Sequence, residues 1–548
     1  MSAWRALATG VLWLGLSASA DLAYADAAND VGKSIYRLGV QGSGAPLQAT
    51  RGGGGLTAKG ADAACVNCHR HSGLGTIEGT VSIPPITGRY LFQPRHLAQD
   101  EAALPYLANA HSNRDPYTEA TLARSIREGL DSTGRPLSDL MPRFALNDAD
   151  MTALIRYLRS LDVSSVPGVT PTVLHFASIV TPDADPAKRS GMVDVLEHYF
   201  AEKNMFPLKP SEHMRSSGKT LYAKSMYHAN RHWQLHVWDL KGPPASWRKQ
   251  LEQLLAAEPV MAVVSGLAGS NWAPVHDFCE REALPCLFPN VEVPVVADRD
   301  FYSLYFSGGV VLEAELIAKR IGEPGDAAPV KKVQQIFRAG DSGEAAARAL
   351  TAALERQGIE AHGTALPAGA PGQGLAAALH GAASADALVL WLRPADVAAL
   401  GAAPAAPTLV FMSGMMGGLA QTPLPVSWRE RTRLAYPYDL PDRNQVRLEY
   451  PLRWFSIRHI PIVAEQVQID TYLACGVLAE TIGEMADNFV RDYLVERVEE
   501  MVEHRVMTGS YPRWALAAGQ PFASKGGYLV RLSGTNGAVV ADGNWVVP

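Results

Sequence analysis

The spacing of apolar positions along the chain changes near residue 170. Before that point, apolar residues after Asn147 recur three or four apart, at Met151, Leu154, Ile155, Leu158 and Leu161. This spacing predicts an amphipathic helix with Asn147 at its N-cap. Residues 164–172 are rich in Pro, Gly, Ser and Thr and predict a linker.

Beyond the linker, short apolar runs alternate with amphipathic segments. The runs predict buried strands at 173–180, 232–240, 259–266, 284–289, 331–339, 385–392 and 407–414. Helical segments such as 244–258 lie between them. Strands that alternate with helices predict a parallel, doubly wound α/β sheet. The pattern restarts after the fourth strand, which predicts two similar lobes.

Composition and charge narrow the class of protein. The chain has 548 residues, of which 47% are apolar and 19% charged, so we expect a globular, multidomain protein. The net charge is −6 and no basic block occurs, so nothing favours a nucleic-acid partner.

The N-terminus predicts export. Arg5 precedes an apolar run over 6–20, and small residues flank Tyr24 at a cleavage site, so residues 1–25 predict a signal peptide. An uncleaved membrane anchor is the alternative, but a bilayer needs roughly twenty apolar residues. We expect a periplasmic protein without a stable membrane span.

The pentapeptide from Cys65 to His69, with Cys68 three positions after the first cysteine, carries the strongest chemical signal. A redox dithiol would need a thioredoxin-like strand and helix, and a zinc site would need a second ligand pair; neither surrounds it. Covalent attachment of haem c needs two thiols about one helical turn apart and an adjacent histidine. We therefore predict that both thiols bind one haem and that His69 ligates its iron.

A second axial ligand is sought downstream. Met141 lies in a loop before the predicted helix, and a thioether raises the potential of a His-ligated haem iron. Met151 is a rival that belongs to the apolar face of the helix. His71 and His96 are further rivals whose ligation would lower the potential. We favour Met141; a buried loop methionine remains the alternative.

These residues resemble a class I cytochrome c domain, assigned to 26–163. The resemblance implies an all-α domain in which Gly32 and Tyr36 of an N-terminal helix pack against Tyr157 of the C-terminal helix. It also implies that the backbone of Pro84 or Pro85 accepts the ring N–H of His69.

Residues 173–548 resemble type I periplasmic binding proteins of the branched-chain amino acid group. The resemblance rests on the order of elements and on the segment "VVSGLAGSNWAPVHDFCEREALPCLFP". It implies a small-molecule ligand held between two α/β lobes. Ser265, Gly266, Ser270 and Asn271 lie where a strand meets a helix, and backbone N–H groups there suit an anion. The alternative is a helix cap and a glycine turn.

Three of the five cysteines lie outside the pentapeptide from Cys65 to His69. Cys279 and Cys286 are close in sequence, and export permits a disulfide, which we favour over two buried thiols. Cys475 lies on an apolar helix face, and this position predicts that it is an inert core residue.

No catalytic motif is present, so we expect an electron-transfer protein rather than an enzyme. The second domain would dock an exported redox partner, such as a dehydrogenase or a terminal electron acceptor, or a small ligand. The alternative function is an ABC-transporter-type solute-binding or sensing protein whose ligand binding is coupled to the redox state of the haem.

Overall fold

A computed structural model describes residues 30–51, 55–94, 104, 114–161, 166–205, 231–323, 329–401, 407, 409–417, 424–485, 488–504, 509–517, 519–533 and 537–548. The described residues form two compact units. The first contains the chain up to Val166 and the distant segment Ile482–Glu496. The second contains the described parts of Pro167–Leu208, Arg231–Thr481 and Arg497–Pro548. The predicted signal peptide lies outside the described residues.

Helices build the core of the first unit. They are α1 (30–38), α2 (Val66–His69), α3 (Gly88–Phe92), α4 (Glu119–Glu128) and α5 (Asp148–Ser160). The Asn147 side chain accepts a hydrogen bond from the Asp150 N–H, so α5 begins at its predicted cap. Its apolar face, including Met151, is buried in the core.

Close packing joins α1 to α5. A Cβ atom added at Gly32 would lie 2.3 Å from the carbonyl oxygen of Ala153 and 2.6 Å from Cβ of Tyr157. The rings of Tyr36 and Tyr157 lie 5.4 Å apart. Only glycine lets the two backbones approach this closely, so the predicted contact between these helices is present.

The first unit also contains short strands, so the all-α expectation is not confirmed. Strand β1 (Gln48–Thr50) pairs antiparallel with β2 (Thr57–Lys59) and with β5 (Arg143–Phe144), and β3 (Thr76–Glu78) pairs with β4 (Val81–Ile83). These strands are two or three residues long and lack the alternation that marks a strand in a sequence.

The second unit contains a six-stranded sheet of order β16-β10-β9-β8-β6-β7, in which neighbouring strands pair parallel. Its strands are β6 (Val173–Val180), β7 (His232–Asp239), β8 (Ala262–Val264), β9 (Cys286–Leu287), β10 (Ser303–Ser307) and β16 (Phe522–Ser524). Helices α6 (Pro186–Lys203), α7 (Trp247–Ala257) and α8 (Ala273–Arg281) alternate with the strands along the chain. The predicted alternation of strands and helices is therefore present.

A seven-stranded sheet follows, of order β12-β11-β13-β14-β15-β17-β18. Its strands are β11 (Lys332–Arg338), β12 (Glu360–Leu366), β13 (Ala387–Trp391), β14 (Leu409–Ser413), β15 (Thr432–Tyr436), β17 (Tyr528–Ser533) and β18 (Ala538–Ala541). The last two strands pair antiparallel, so the C-terminal segment closes one edge of this sheet.

Nine helices complete the elements of the described residues. They are α9 (Gly309–Gly322), α10 (Ser342–Glu355), α11 (Leu375–Gly381), α12 (Pro394–Ala398), α13 (Gly414–Gly417), α14 (Val426–Arg429), α15 (Pro441–Ile457), α16 (Glu465–Glu484) and α17 (Arg491–His504). None of the helices in the described part of the chain is both long and apolar enough to cross a bilayer.

The predicted disulfide is not formed. Cys279 on α8 and Cys286 in β9 are not joined by a disulfide, and both are fully buried in one apolar cluster with Phe278 and Tyr305. Each fills a core position as a small apolar side chain, for which no bond is required. Cys475 is likewise a free, buried thiol on α16.

Candidate functional site

A cavity of about 500 Å³ in the first unit brings together the residues predicted to hold haem. Cys65, Cys68, His69 and Met141 all line it. Most of the remaining wall is apolar, and it includes Ile83, Pro85, Ile86, Leu91, Leu122, Ile126, Leu137, Phe144, Leu154 and Leu158. A cavity of this size with a few converging polar atoms suits a bound cofactor.

Local helical structure sets the spacing of the two thiols. Cys65 is the N-cap of α2, and its carbonyl accepts the N–H of Cys68 at 3.2 Å and that of His69 at 2.9 Å. The turn ends at Arg70, whose φ of 64° reverses the chain. One helical turn therefore presents both sulfur atoms and the imidazole to the same cavity.

The imidazole of His69 is held by the backbone. Its Nδ1 lies 3.0 Å from the carbonyl oxygen of Pro84, and because that oxygen can only accept, Nδ1–H donates. Nε2 is then the ring nitrogen left for a metal. Burial lowers the pKa of His69 to about 4 despite this bond, so the imidazole is neutral, as an iron ligand must be. Of the two prolines considered, Pro84 is the partner.

Met141 is placed by a turn and by a neighbouring arginine. Its N–H donates to the carbonyl of Ser138 at 3.0 Å, and the guanidinium of Arg143 donates to its carbonyl. Its partly buried side chain packs against the core of the unit. The described lining of the cavity includes Met141 and neither His71 nor Met151. His96 lies outside the described residues.

The residues present fit a covalently bound haem. Two thiols, a neutral imidazole and a thioether face a largely apolar cavity. Arg51 and Arg114 also line it, and their positive charge suits an anionic edge of the group. Sequence reasoning missed both arginines because nothing in their neighbourhood distinguishes them from other surface arginines.

In the second unit, the residues predicted to hold an anion have partners within the chain. The Ser265 hydroxyl is fully buried, lies 3.1 Å from Oγ1 of Thr471, and accepts from the Asn290 amide at 2.9 Å. Ser265 has a φ of 55°, in the left-handed region, and Gly266 has a φ of 125°. This strand end is a tight, internally bonded turn.

A carboxylate of the chain itself takes the predicted anion position at Ser270. Oδ2 of Asp183 accepts the Ser270 N–H at 2.8 Å and its hydroxyl at 2.7 Å. Partial burial raises the pKa of Asp183, but bonds from Thr181 and Ser270 outweigh it and leave the pKa below its usual value. Asn271 accepts the N–H of Ala273 at 3.0 Å, but the N-cap of α8 is Trp272, so the expected cap at Ser270 or Asn271 is wrong.

A charged cluster that sequence reasoning missed lies at the ends of β11 and β13. The Arg393 guanidinium donates to both carboxylate oxygens of Glu292, at 2.7 and 2.6 Å, and to those of Asp341, at 2.6 and 2.9 Å. Lys188 lies 3.5 Å from Glu292, and the Ser342 hydroxyl donates to it at 2.7 Å. Glu292 follows β9 of the six-stranded sheet, whereas Asp341 and Arg393 follow β11 and β13 of the seven-stranded sheet. The cluster therefore ties the two sheets of this unit together.

A buried carboxylate binds the chain at the end of β14, around residues 413–415. Glu313 is fully buried and accepts from the Ser413 hydroxyl and the Met415 N–H. Burial raises its pKa to about 8, although these bonds act in the opposite direction. This strand end is therefore also satisfied from within the chain.

Comparison with known proteins identifies the first unit by class. Residues 58–162 match the family model of cytochrome c. This part of the chain is a cytochrome c domain, a family that binds haem covalently, and Cys65 and Cys68 lie within the matched residues. The match begins after α1, so the contact of Gly32 with α5 lies partly outside it.

The rest of the chain has the fold of substrate-binding proteins. A branched-chain amino acid ABC transporter protein from Thermus thermophilus with bound valine is 12% identical, with a TM-score of 0.51, and the match covers 70% of this chain and 97% of that one. A fatty acid ABC transporter substrate-binding protein from Thermomonospora curvata is 15% identical, with a TM-score of 0.48, and the match covers 70% of this chain and 95% of that one. A leucine-binding protein from Thermotoga maritima is 13% identical, with a TM-score of 0.49, and the match covers 68% of this chain and 99% of that one.

At these identities the likeness establishes the fold and leaves the ligand open. No curated protein matches this sequence.

Proposed function

We propose that this protein is a periplasmic electron carrier with one covalently bound haem, and that its binding-protein-like part docks an exported redox partner. The partner would be a dehydrogenase or a terminal electron acceptor. In this proposal the protein transfers electrons and does not act as an enzyme. The two sheets of its second unit would form two lobes. When bound, the haem would supply one-electron chemistry at its iron.

The observation that carries the proposal is the convergence of Cys65, Cys68, His69 and Met141 on one cavity. The thiols of Cys65 and Cys68 would anchor the group, and His69 and Met141 would ligate its iron. The apolar wall would exclude water, which favours electron transfer with little rearrangement. The predicted signal peptide supports the periplasmic location, where haem attachment and a partner would be available.

A docking role for the second unit is supported by its strand ends. Ser270 is paired with Asp183, Ser265 with Thr471, and Arg393 with Glu292. The donors that would hold a small anion are thus bonded within the chain. Docking of a partner protein, by contrast, does not require unbonded donors at these strand ends, because a surface that is already formed is enough.

The alternative is a ligand-responsive cytochrome, and the fold shared with a valine-bound protein favours it. In that case a ligand would displace intramolecular partners such as Asp183. A thermal-melt screen of the intact protein against amino acids, amides, short acids, alcohols and aldehydes separates the two functions. A reproducible rise in melting temperature with one class supports the alternative, and no rise with any class supports protein docking.

Haem attachment tests the primary proposal. The full chain is produced in a bacterium that matures c-type cytochromes, and its intact mass is measured. We expect the mass of one haem on the wild type and none on the double variant C65A/C68A. The control C475A changes a thiol of the second unit and should retain the haem. A wild-type chain without the added mass would overturn the proposal.

A further inference from the structure

A buried carboxylate from far along the chain binds the loop that follows His69. One carboxylate oxygen of Glu496 accepts the backbone N–H of Ser72 at 2.9 Å, and the other accepts its hydroxyl at 2.6 Å. The exposed fractions of the two residues are 5% and 3%. Both belong to the first compact unit, although 424 positions separate them.

The loop so held is tied to the haem-binding turn. The Ser72 hydroxyl accepts the N–H of Leu74 at 3.1 Å, and the N–H of Gly75 donates to the carbonyl of His69 at 3.2 Å. Ser72 is thus bonded on one side to the carboxylate and on the other to the segment that closes on the axial histidine. A movement or change of charge at Glu496 acts on this segment first.

Several charged and titratable groups of the described residues act on the Glu496 carboxylate. They include Arg70 of the loop, Tyr36 of α1 and Asp492 of its own helix α17. Asp492 is itself paired with Arg37 at 2.6 Å. Burial raises the pKa of Glu496 to about 8, while Arg70 and the two bonds from Ser72 lower it. The carboxyl therefore changes its charge close to physiological pH.

We propose that Glu496 is a positioning residue for the haem-binding loop, which it holds through Ser72, and that it takes up a proton when the haem site gains an electron. The inference rests on the proposed function of electron transfer. One electron enters from a one-electron reductant, and up to one proton passes from water to a carboxylate oxygen of Glu496. Reoxidation returns both.

The sign follows from electrostatics. An ionised carboxylate in a low-dielectric interior stabilises the more positive, oxidised state of a neighbouring site. Ionisation of Glu496 therefore lowers the reduction potential of the domain. We expect the potential of the wild type to fall as the pH rises through the pKa of this carboxyl.

The test is a spectroelectrochemical titration of the full-length holoprotein from about pH 6 to about pH 10, a range that brackets the transition. Wild type is compared with Glu496→Gln, which keeps the shape of the side chain and loses its charge. The control is Glu500→Gln, one turn further along α17, whose carboxylate pairs with Arg497 and whose side chain is 37% exposed.

We expect a falling potential above neutral pH in the wild type and in E500Q, and a nearly flat, higher potential over the same range in E496Q. Equal pH profiles in wild type and E496Q would overturn the inference. If E496Q does not fold, Ser72→Ala replaces it, because it removes the shorter of the two bonds and should displace the wild-type transition. A holoprotein that shows no reversible redox change refutes the proposed function instead, so the two failures are distinguishable.

Discussion

His69 and Met141 are held in different ways, although both face the haem cavity. The imidazole of His69 is buried and fixed by a ring hydrogen bond to Pro84. The Met141 side chain is partly buried, and only the backbone of its loop is bonded, through Ser138 and Arg143. Removal of the thioether should therefore leave the fold of the domain intact. It should change mainly the ligation and the reduction potential of the iron.

Met141→Ala should lower the reduction potential of the holoprotein, because a thioether ligand raises the potential of a His-ligated haem iron. A redox titration followed by absorbance measures the shift. The matched control is Met205→Ala, a methionine of the second unit that is 70% exposed, which should leave the potential unchanged. An unaltered potential in M141A would mean that another side chain, such as His71, ligates the iron.

At the scale of elements, the contact between α1 and α5 holds the two ends of the cytochrome domain together. Gly32 is the point of closest approach, and its added Cβ would overlap the backbone of Ala153. No flexible side chain lies there to move aside. A larger residue at position 32 would therefore clash with this backbone and force α1 and α5 apart.

Gly32→Ala should destabilise the cytochrome domain by about 1–3 kcal/mol, the usual cost of overpacking. Thermal unfolding followed by haem absorbance measures it. Gly483→Ala on α16 belongs to the same unit and has open space for the added Cβ, so it should be neutral or stabilising. Equal melting temperatures for wild type and G32A would contradict the packing described.

The ion cluster around Arg393 makes the second unit sensitive to acid. Burial raises the pKa of Glu292, but hydrogen bonds and charge from Arg393, with Lys188 and Ser342, lower it from 4.5 to about 2. A carboxyl with a lowered pKa stabilises the folded state above its unfolded pKa. That stability is lost as the pH falls from about 4.5 towards about 2.

Arg393→Met should therefore remove about 3 kcal/mol of stability at neutral pH, the usual order of loss when one partner of a buried ion pair is removed. Chemical denaturation at pH 7 and at about pH 3 measures the difference. It should shrink in acid because the unfolded chain binds a proton at this carboxyl below about pH 4.5, while Glu292 of the folded wild type stays ionised down to about pH 2. The control is Arg348→Met on α10, whose partner Glu344 is exposed and contributes little. A loss that does not depend on pH would contradict the role given to Glu292.

The sequence predicted features that depend on neighbouring residues and could not predict contacts between distant ones. The spacing of Cys65, Cys68 and His69 follows from one helical turn, and the apolar runs of the second unit follow from burial in a sheet. The bond from Glu496 to Ser72 and the pair of Arg393 with Glu292 join residues 424 and 101 positions apart. No local pattern marks such partners, and the same is true of the carboxylate of Asp183 at Ser270.

At the scale of the whole molecule, the compact units do not follow the order of the chain. The segment Ile482–Glu496 belongs to the unit of the cytochrome domain, where Asp492 pairs with Arg37 and Glu496 with Ser72. A division of the sequence at the predicted linker separates these partners. The segment Ile482–Glu496 is thus part of the environment of the haem site.

A truncated chain that ends at Val166 should bind haem and yet unfold at a lower temperature than the haem domain of the full chain. It lacks the partners of Arg37 and Ser72, and their loss uncovers buried polar groups. Thermal unfolding followed by haem absorbance compares the two proteins. A truncated domain as stable as the intact one would show that Ile482–Glu496 adds nothing to it.

We propose that the chain carries one haem that exchanges single electrons. A potentiometric titration of the intact, purified holoprotein, followed by its haem absorbance, tests this most directly. We predict one reversible transition that fits a one-electron curve, with the same potential in the oxidative and reductive directions. An absorbance that does not change with potential, or a curve that requires two transitions, would contradict the account.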